Sequence, residues 1–220
     1  MSSELLGLVI VVGATLVSSV MYVVSGVYRR EDQNEISDRG RFILGSFVRN
    51  WLFWFLSPLE RIAVGLRISP TTFNALGVAL GVSAGFCFGT GNLNPGGWLI
   101  LLSGAFDVLD GRIARAQGLA SPRGAFLDST LDRFAEVGAF VGLAVFYRDS
   151  VALTIIVACA MGGSLLVSYA RARGESVGII CNVGLMQRAE RLLLVGLVVF
   201  STRLLANRVT LTQAFFSRPR

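Results

Sequence analysis

The sequence predicts an all-α integral membrane protein, with about six transmembrane helices plus an N-terminal interfacial amphipathic helix. Three observations carry that expectation. Of 220 residues, 53% are hydrophobic and only 15% charged, against roughly 25% charged in an ordinary soluble domain. Apolar stretches recur along the chain, most of them near the roughly 20 residues that a helix rising about 1.5 Å per residue needs to cross about 30 Å of hydrocarbon. Between the first two lies a segment too charged to span and too aromatic to be a plain linker.

Leu5 to Val24 is the first span. No small-residue cleavage site precedes Tyr28-Arg29-Arg30, so a retained anchor is expected rather than a signal peptide. Residues 1–28 thus form an additional N-terminal transmembrane helix. From Arg29 to Arg67 charged side chains mix with Trp51, Phe53, Trp54 and Phe55. That mixture suits a helix lying in the cytoplasmic interface, aromatic side toward lipid, within a segment 29–69. A membrane domain follows over 70–206. Its first span starts at Ser69-Pro70-Thr71, with proline in the first turn, and runs from Thr72 to Gly89. The turn Gly91–Gly97 closes it, and further spans are expected at Trp98 to about Ile113, Gly124–Tyr147 and Val151–Tyr169. A last apolar stretch, Leu192–Leu205, precedes a short tail at 207–220.

All 20 basic residues are arginine. With the loop 29–67 placed in the cytoplasm, fourteen arginines fall inside and five outside, Arg133 being set aside within a span. The positive-inside rule therefore gives a multi-pass protein of the inner or plasma membrane whose amino terminus lies outside. Histidine is absent. Imidazole catalysis, imidazole metal ligation and phosphohistidine intermediates are thereby excluded. Cys87, Cys159 and Cys181 are far apart and each lies in or beside an apolar run, so they read as packing residues.

The chemistry-bearing residues are four aspartates at the cytoplasmic ends of two spans. Asp107 and Asp110 are spaced i,i+3 and Asp128 and Asp132 i,i+4, so on helices each pair shares a face. Two such helices side by side converge four carboxylates on one point. Their repulsion at membrane depth calls for hard divalent cations, Mg²⁺ or Mn²⁺, which take oxygen ligands. Pairing with Arg112, Arg115, Arg123 and Arg133 is the alternative account. Gly111 and Gly124 fit the cation site better, since they lack side chains where a phosphate or nucleotide has to approach the backbone. A divalent-cation transporter would spread its acids along a pore, whereas these lie at one level.

Asp107-Val-Leu-Asp110-Gly111-Arg-Ile-Ala114-Arg115, then Gly124, Asp128 and Asp132, resembles the signature D-x2-D-G-x2-A-R-x8-G-x3-D-x3-D of the CDP-alcohol phosphatidyltransferase family at every fixed position. The likeness extends from about Pro70 to Leu194. It implies a helical bundle around a cytoplasm-facing two-metal cavity, in which CDP-diacylglycerol donates its phosphatidyl group to an alcohol and CMP is released. Asp107, Asp110, Asp128 and Asp132 would hold the metals, and Asp132 would also be the general base. Asp110, Gly111, Ala114, Arg115 and Gly124 would bind the cytidine diphosphate, with Thr71 and Asn74 from a polar stretch that departs from the family's usual order. A homodimer in contact with membrane lipid is expected, and no nucleic-acid partner. Without a suitable cysteine or histidine, direct in-line attack is favoured over a covalent enzyme intermediate.

A second cluster, Ser168-Tyr169-Ala-Arg171-Ala-Arg173-Gly174-Glu175 and then Arg188-Ala-Glu190-Arg191, puts arginines at i,i+2 and i,i+3 where spans emerge. It can anchor topology or form a pocket for bidentate phosphate contacts. Within the family it resembles the pattern of phosphatidylinositol-phosphate synthases, which implies inositol phosphate as acceptor, bound by Ser168, Arg171, Arg173, Arg188 and Arg191. Glycerol 3-phosphate is the alternative, because it presents the same phosphate beside a free hydroxyl.

Overall fold

The computed structural model describes residues 3–25 and 45–178. Among them the chain is all-helical, with α1 (Ser3–Val24), α2 (Gly45–Gly65), α3 (Pro70–Gly89), α4 (Leu93–Ala116), α5 (Pro122–Phe146) and α6 (Val151–Ser176). The stretch Leu192–Leu205, the tail, Cys181, Arg188 and Arg191 lie outside the described residues. Among the described residues two helices, α3 and α6, are long and apolar enough to cross a membrane. Ile155, Ile156, Leu166 and Val167 of α6 are all exposed, as lipid-facing side chains would be.

The expected turn over residues 91–97 is shorter than the sequence suggested. It ends at Asn92, and α4 already begins at Leu93. Pro95 falls in the first helical turn, where a missing N–H costs nothing, and Gly96 leaves room for the ring of Phe88. At its other end α6 continues to Ser176, seven residues past the predicted end, so Arg171 and Arg173 ride on helix.

α3 is the central element, with α4 on one side and α5 on the other, while α4 and α5 share little direct packing. The two aspartate-bearing helices are therefore held by a third rather than lying side by side along their length. Sequence explains the closeness. Gly77, Gly81, Gly85 and Gly89 recur every four residues and so share one face of α3. A methyl group added at Gly81 would fall 2.6 Å from Cβ of Ala135, and one at Gly85 would overlap the backbone of Gly138. Across the seam, a methyl group at Gly142 would overlap the backbone of Gly85. Small residues at the contact let the two helices approach backbone to backbone, where close packing and dispersion hold them. Toward α4, Gly77 offers its carbonyl to the buried Ser103 hydroxyl at 2.7 Å. Beyond the glycines Ala84, Phe88, Leu93, Ile100, Ala139 and Leu143 close the apolar core.

α2 contains Pro58 within its length. It packs Leu56 and Ala63 against Leu109 and Ile113 of α4. Arg112 of α4 donates from Nε to Glu60 Oε2 at 2.7 Å, and its guanidinium lies 4.5 Å from the centre of the Phe53 ring. The expected lipid-facing aromatic side is corrected here. Trp51 donates to Ser18 Oγ at 3.1 Å and Trp54 packs on the buried Tyr22 of α1, so these indoles face protein. Phe55 alone of the four aromatics is exposed, in a stripe of α2 with Leu59 and Ile62. Indole N–H groups need partners when covered, and α1 supplies one for Trp51.

Candidate active site

The ends of α3, α4 and α5 nearest Pro70, Ala116 and Pro122 enclose a cavity of about 280 Å³. Local chemistry brings them there. Pro70 and Pro122 each start a helix, and Ser121 caps α5 by accepting the Gly124 N–H at 3.1 Å. Gly118 ends α4 with φ of +67°, a left-handed conformation that favours glycine, and Leu119 N–H closes onto Ala114 O at 2.8 Å. That tight exit puts Leu119, Ala120 and Ser121 on the wall of the cavity.

The residues expected to bind the nucleotide, Thr71, Asn74, Asp110, Gly111, Ala114, Arg115 and Gly124, all line this one cavity. They come from three helices. Ser69, Ala125 and Leu127 also line it and were not singled out from the sequence, since nothing in their local pattern marks them.

One carboxylate oxygen from each of Asp107, Asp110 and Asp128 lies within 4.8 Å of the others. Asp132, one turn further along α5, is not a member of that trio and is half-buried. Asp128 accepts from Asn74 Nδ2 at 2.6 Å, so α3 orients a carboxylate of α5. Asp110 is 5% exposed, and its Oδ2 is buried with no hydrogen-bond partner. A buried carboxylate oxygen left unpaired is costly, and two further carboxylates beside it add repulsion. Oxygen donors alone, crowded and incompletely satisfied, are what a hard divalent cation binds. The donor set fits Mg²⁺ or Mn²⁺. Two of the arginines that could have neutralised the aspartates turn elsewhere, Arg112 to Glu60 and Arg133 to the carbonyl of Ser129.

The expected acceptor cluster is only partly described. Ser168 and Arg171 are half-buried and Arg173 exposed on the last turns of α6, and none lines the cavity. Arg173 contacts the Ser176 hydroxyl at 3.5 Å. A group the sequence reading missed is Glu136 of α5, 3% exposed, which accepts a hydrogen bond from the Ser164 hydroxyl of α6. An acid inside an apolar span was the available signal.

The family model described as CDP-alcohol phosphatidyltransferase matches residues 68–217. The chain belongs to that family. It is 38% identical over 162 residues to phosphatidylinositol phosphate synthase of Streptomyces avermitilis, covering 70% of this chain and 66% of the relative. It is 40% identical over 142 residues to archaetidylinositol phosphate synthase of Methanothermobacter thermautotrophicus, covering 64% of this chain and 69% of that one. The matched part thus spans just under two thirds of the Streptomyces protein. Among solved structures, phosphatidylinositol phosphate synthase of Mycobacterium tuberculosis with CDP-DAG bound superposes with a TM-score of 0.55 at 31% identity, over 61% of this chain and 70% of that one. The same enzyme in complex with manganese and citrate gives a TM-score of 0.59 at 29% identity, over 65% and 70%.

Proposed function

We propose that this chain is a phosphatidylinositol-phosphate synthase of the inner or plasma membrane. It moves the phosphatidyl group of CDP-diacylglycerol to a hydroxyl of inositol phosphate and releases CMP. The observation that carries the reading is the cavity lined by Thr71, Asn74, Gly111, Ala114, Arg115 and Gly124 together with Asp110 and Asp128, whose carboxylates crowd that of Asp107. The names of the relatives support the donor and the acceptor. About six membrane helices, a site opening to the cytoplasm and a homodimer complete the proposal.

Asp107, Asp110 and Asp128 would hold two divalent cations, Mg²⁺ or Mn²⁺, with Asp132 as a further ligand. When bound, such cations neutralise pyrophosphate charge and polarise the phosphorus under attack. The remaining work falls to protein groups. Gly111, Ala114 and Gly124 leave the wall shallow enough for the cytidine diphosphate to approach the backbone, and Arg115 offers its guanidinium to phosphate oxygens. Thr71 and Asn74 present polar groups to the same ligand, and Asn74 also holds Asp128 in place. Ser168, Arg171, Arg173, Arg188 and Arg191 would bind the acceptor phosphate, whose charge of about −1.5 to −2 suits guanidinium forks. Asp132 takes the proton of the acceptor hydroxyl as its oxygen bonds to the lipid-bearing phosphorus, and the bond from that phosphorus to the CMP oxygen breaks.

Purified protein given CDP-diacylglycerol should release CMP fastest with inositol phosphate. Arg173→Ala should raise the KM for that acceptor far more than the KM for the CDP-lipid. Asp132→Asn should retain CDP-lipid binding and lose turnover. Equal or better use of glycerol 3-phosphate would reassign the acceptor, and use of free inositol or serine at least as well as either would remove the phosphate pocket. Release of no CMP with any alcohol would overturn the reaction.

A further inference from the structure

α6 is joined to α5 by a turn at residues 147–150, tied by Thr154 Oγ1 to the Tyr147 carbonyl at 2.9 Å. Ser164 is the one buried residue of α6 among those described, and its hydroxyl donates to the buried Glu136 carboxylate of α5. Past Ser164, the described part of α6 runs on for twelve residues to Ser176 with no other buried side chain. The two helices are antiparallel. Pairing 136 with 164 therefore sets Asp132 level with Ser168, one turn nearer the cavity, and Asp128 level with the turn that carries Arg171.

A carboxylic acid costs several kcal/mol inside a membrane span, whereas a serine paired with a small neutral group would hold two helices more cheaply. Acids in such places are retained for what they position or transport. Glu136 lies outside the cavity wall, so direct contact with the nucleotide is not its task.

We propose that the Glu136–Ser164 hydrogen bond is a register pin, and that Glu136 is a positioning residue for the acceptor half of the site. It fixes how far α6 is slid and rotated against α5. In doing so it sets where Ser168, Arg171 and Arg173 stand relative to Asp132, the base that serves the acceptor hydroxyl. The donor half, built on α3, α4 and the first turns of α5, does not depend on it. This rests on the acceptor assignment made above for the end of α6.

The test compares Glu136→Gln, Glu136→Leu and Ser164→Ala in the full chain in detergent. A glutamine carbonyl still accepts from Ser164, so Glu136→Gln should stay within about threefold of the parent in both KM values. Glu136→Leu and Ser164→Ala should each raise the acceptor KM about tenfold or more, with the CDP-lipid KM within about twofold, and the double variant should be no worse than the poorer single one. A readout without turnover accompanies the kinetics. Spin labels at Arg123→Cys and Ala172→Cys, with Cys87, Cys159 and Cys181 replaced by serine, report the α5–α6 distance by dipolar spectroscopy. That distribution should shift or broaden in Ser164→Ala and stay narrow in Glu136→Gln. Where Glu136→Leu is not recovered from membranes, Ser164→Ala decides. An unchanged distance and acceptor KM in Ser164→Ala overturns the pin, as does a Glu136→Gln variant as impaired as Glu136→Leu, or a parallel rise in both KM values. A shifted distance in a protein that uses no phosphorylated alcohol upholds the pin and overturns the acceptor assignment instead.

Discussion

α5 meets its two neighbours in opposite ways. Toward α3 it presents Ala135, Gly138 and Gly142 to a row of glycines, so that added methyl groups at Gly85 and Gly142 collide with backbone. Toward α6 it presents one buried polar pair. The first contact is a continuous seam with no spare volume; the second is sparser, with Ser164 the one buried residue of α6 among those described. The difference maps onto the proposed reaction. Metal and nucleotide require carboxylates fixed to fractions of an ångström; Asn74 and Asp128 ride on the two helices of the seam, and Asp107 and Asp110 on α4, which packs on the other side of α3. In the proposed reaction, a small acceptor that enters and a larger phospholipid that leaves are better served by a more loosely packed arm.

The carboxylates should be the most sensitive part of the rigid half. Asp107→Asn, Asp110→Asn or Asp128→Asn should each lower turnover by about two orders of magnitude or more, with the protein still in the membrane, because each removes an anionic oxygen from the donor set. Exhaustive EDTA should do the same to the parent, with recovery on adding Mg²⁺ or Mn²⁺. Activity surviving chelation would contradict the cation site.

Gly85→Leu probes the seam itself. Its side chain has only the Gly138 backbone to displace, and overpacking of this kind costs about 3 kcal/mol. Thermal stability in detergent should drop, and the KM for the CDP-lipid should rise along with that for the acceptor, in contrast to Ser164→Ala. Loss at the seam confined to the acceptor KM would erase the distinction between the two sides of α5.

A smaller effect is expected where α2 grips α4. Arg112→Ala leaves Glu60 half-buried without its partner and uncovers Phe53, for a loss of about 1–2 kcal/mol. The charge exchange Arg112→Glu with Glu60→Arg should recover part of it. Smallest of all, serine at Cys87, Cys159 and Cys181 should cost at most a modest amount of stability and no chemistry. Cys159 is exposed and Cys87 half-buried, so neither fills a tight core position.

What the sequence made legible follows from how locally each feature is encoded. Asp107 with Asp110, and Asp128 with Asp132, lie within about one turn of each other, so helical spacing was enough to give each pair a common face, while Gly111 and Arg115 were marked by their place in the family signature. Span boundaries were less legible because helix ends depend on capping. Pro95 and Gly96, which read as turn residues, are absorbed into the first turn of α4. The glycines at 77, 81, 85 and 89 were visible as a period of four, but an apolar run reads as a span whether or not a backbone lies against it. Glu136 and Ser164 are 28 residues apart. Nothing short of the antiparallel pairing of α5 and α6 connects them. The aromatic residues of α2 were assigned to lipid because composition cannot distinguish a bilayer from a neighbouring helix, and α1 supplied the neighbour.

The glycine seam also bears on how the protein behaves outside its membrane. Its attraction comes from close fit between two backbones and owes nothing to the difference between water and oil, since acyl chains and protein are equally apolar. Replacing lipid by detergent therefore leaves its energy nearly unchanged. The Asn74–Asp128 bond that crosses it should therefore come through solubilisation in register. Extraction should act first on exposed apolar side chains such as the stripe of Phe55, Leu59 and Ile62 on α2. Activity lost in one detergent and regained on returning to vesicles would then report on that stripe rather than on the catalytic centre.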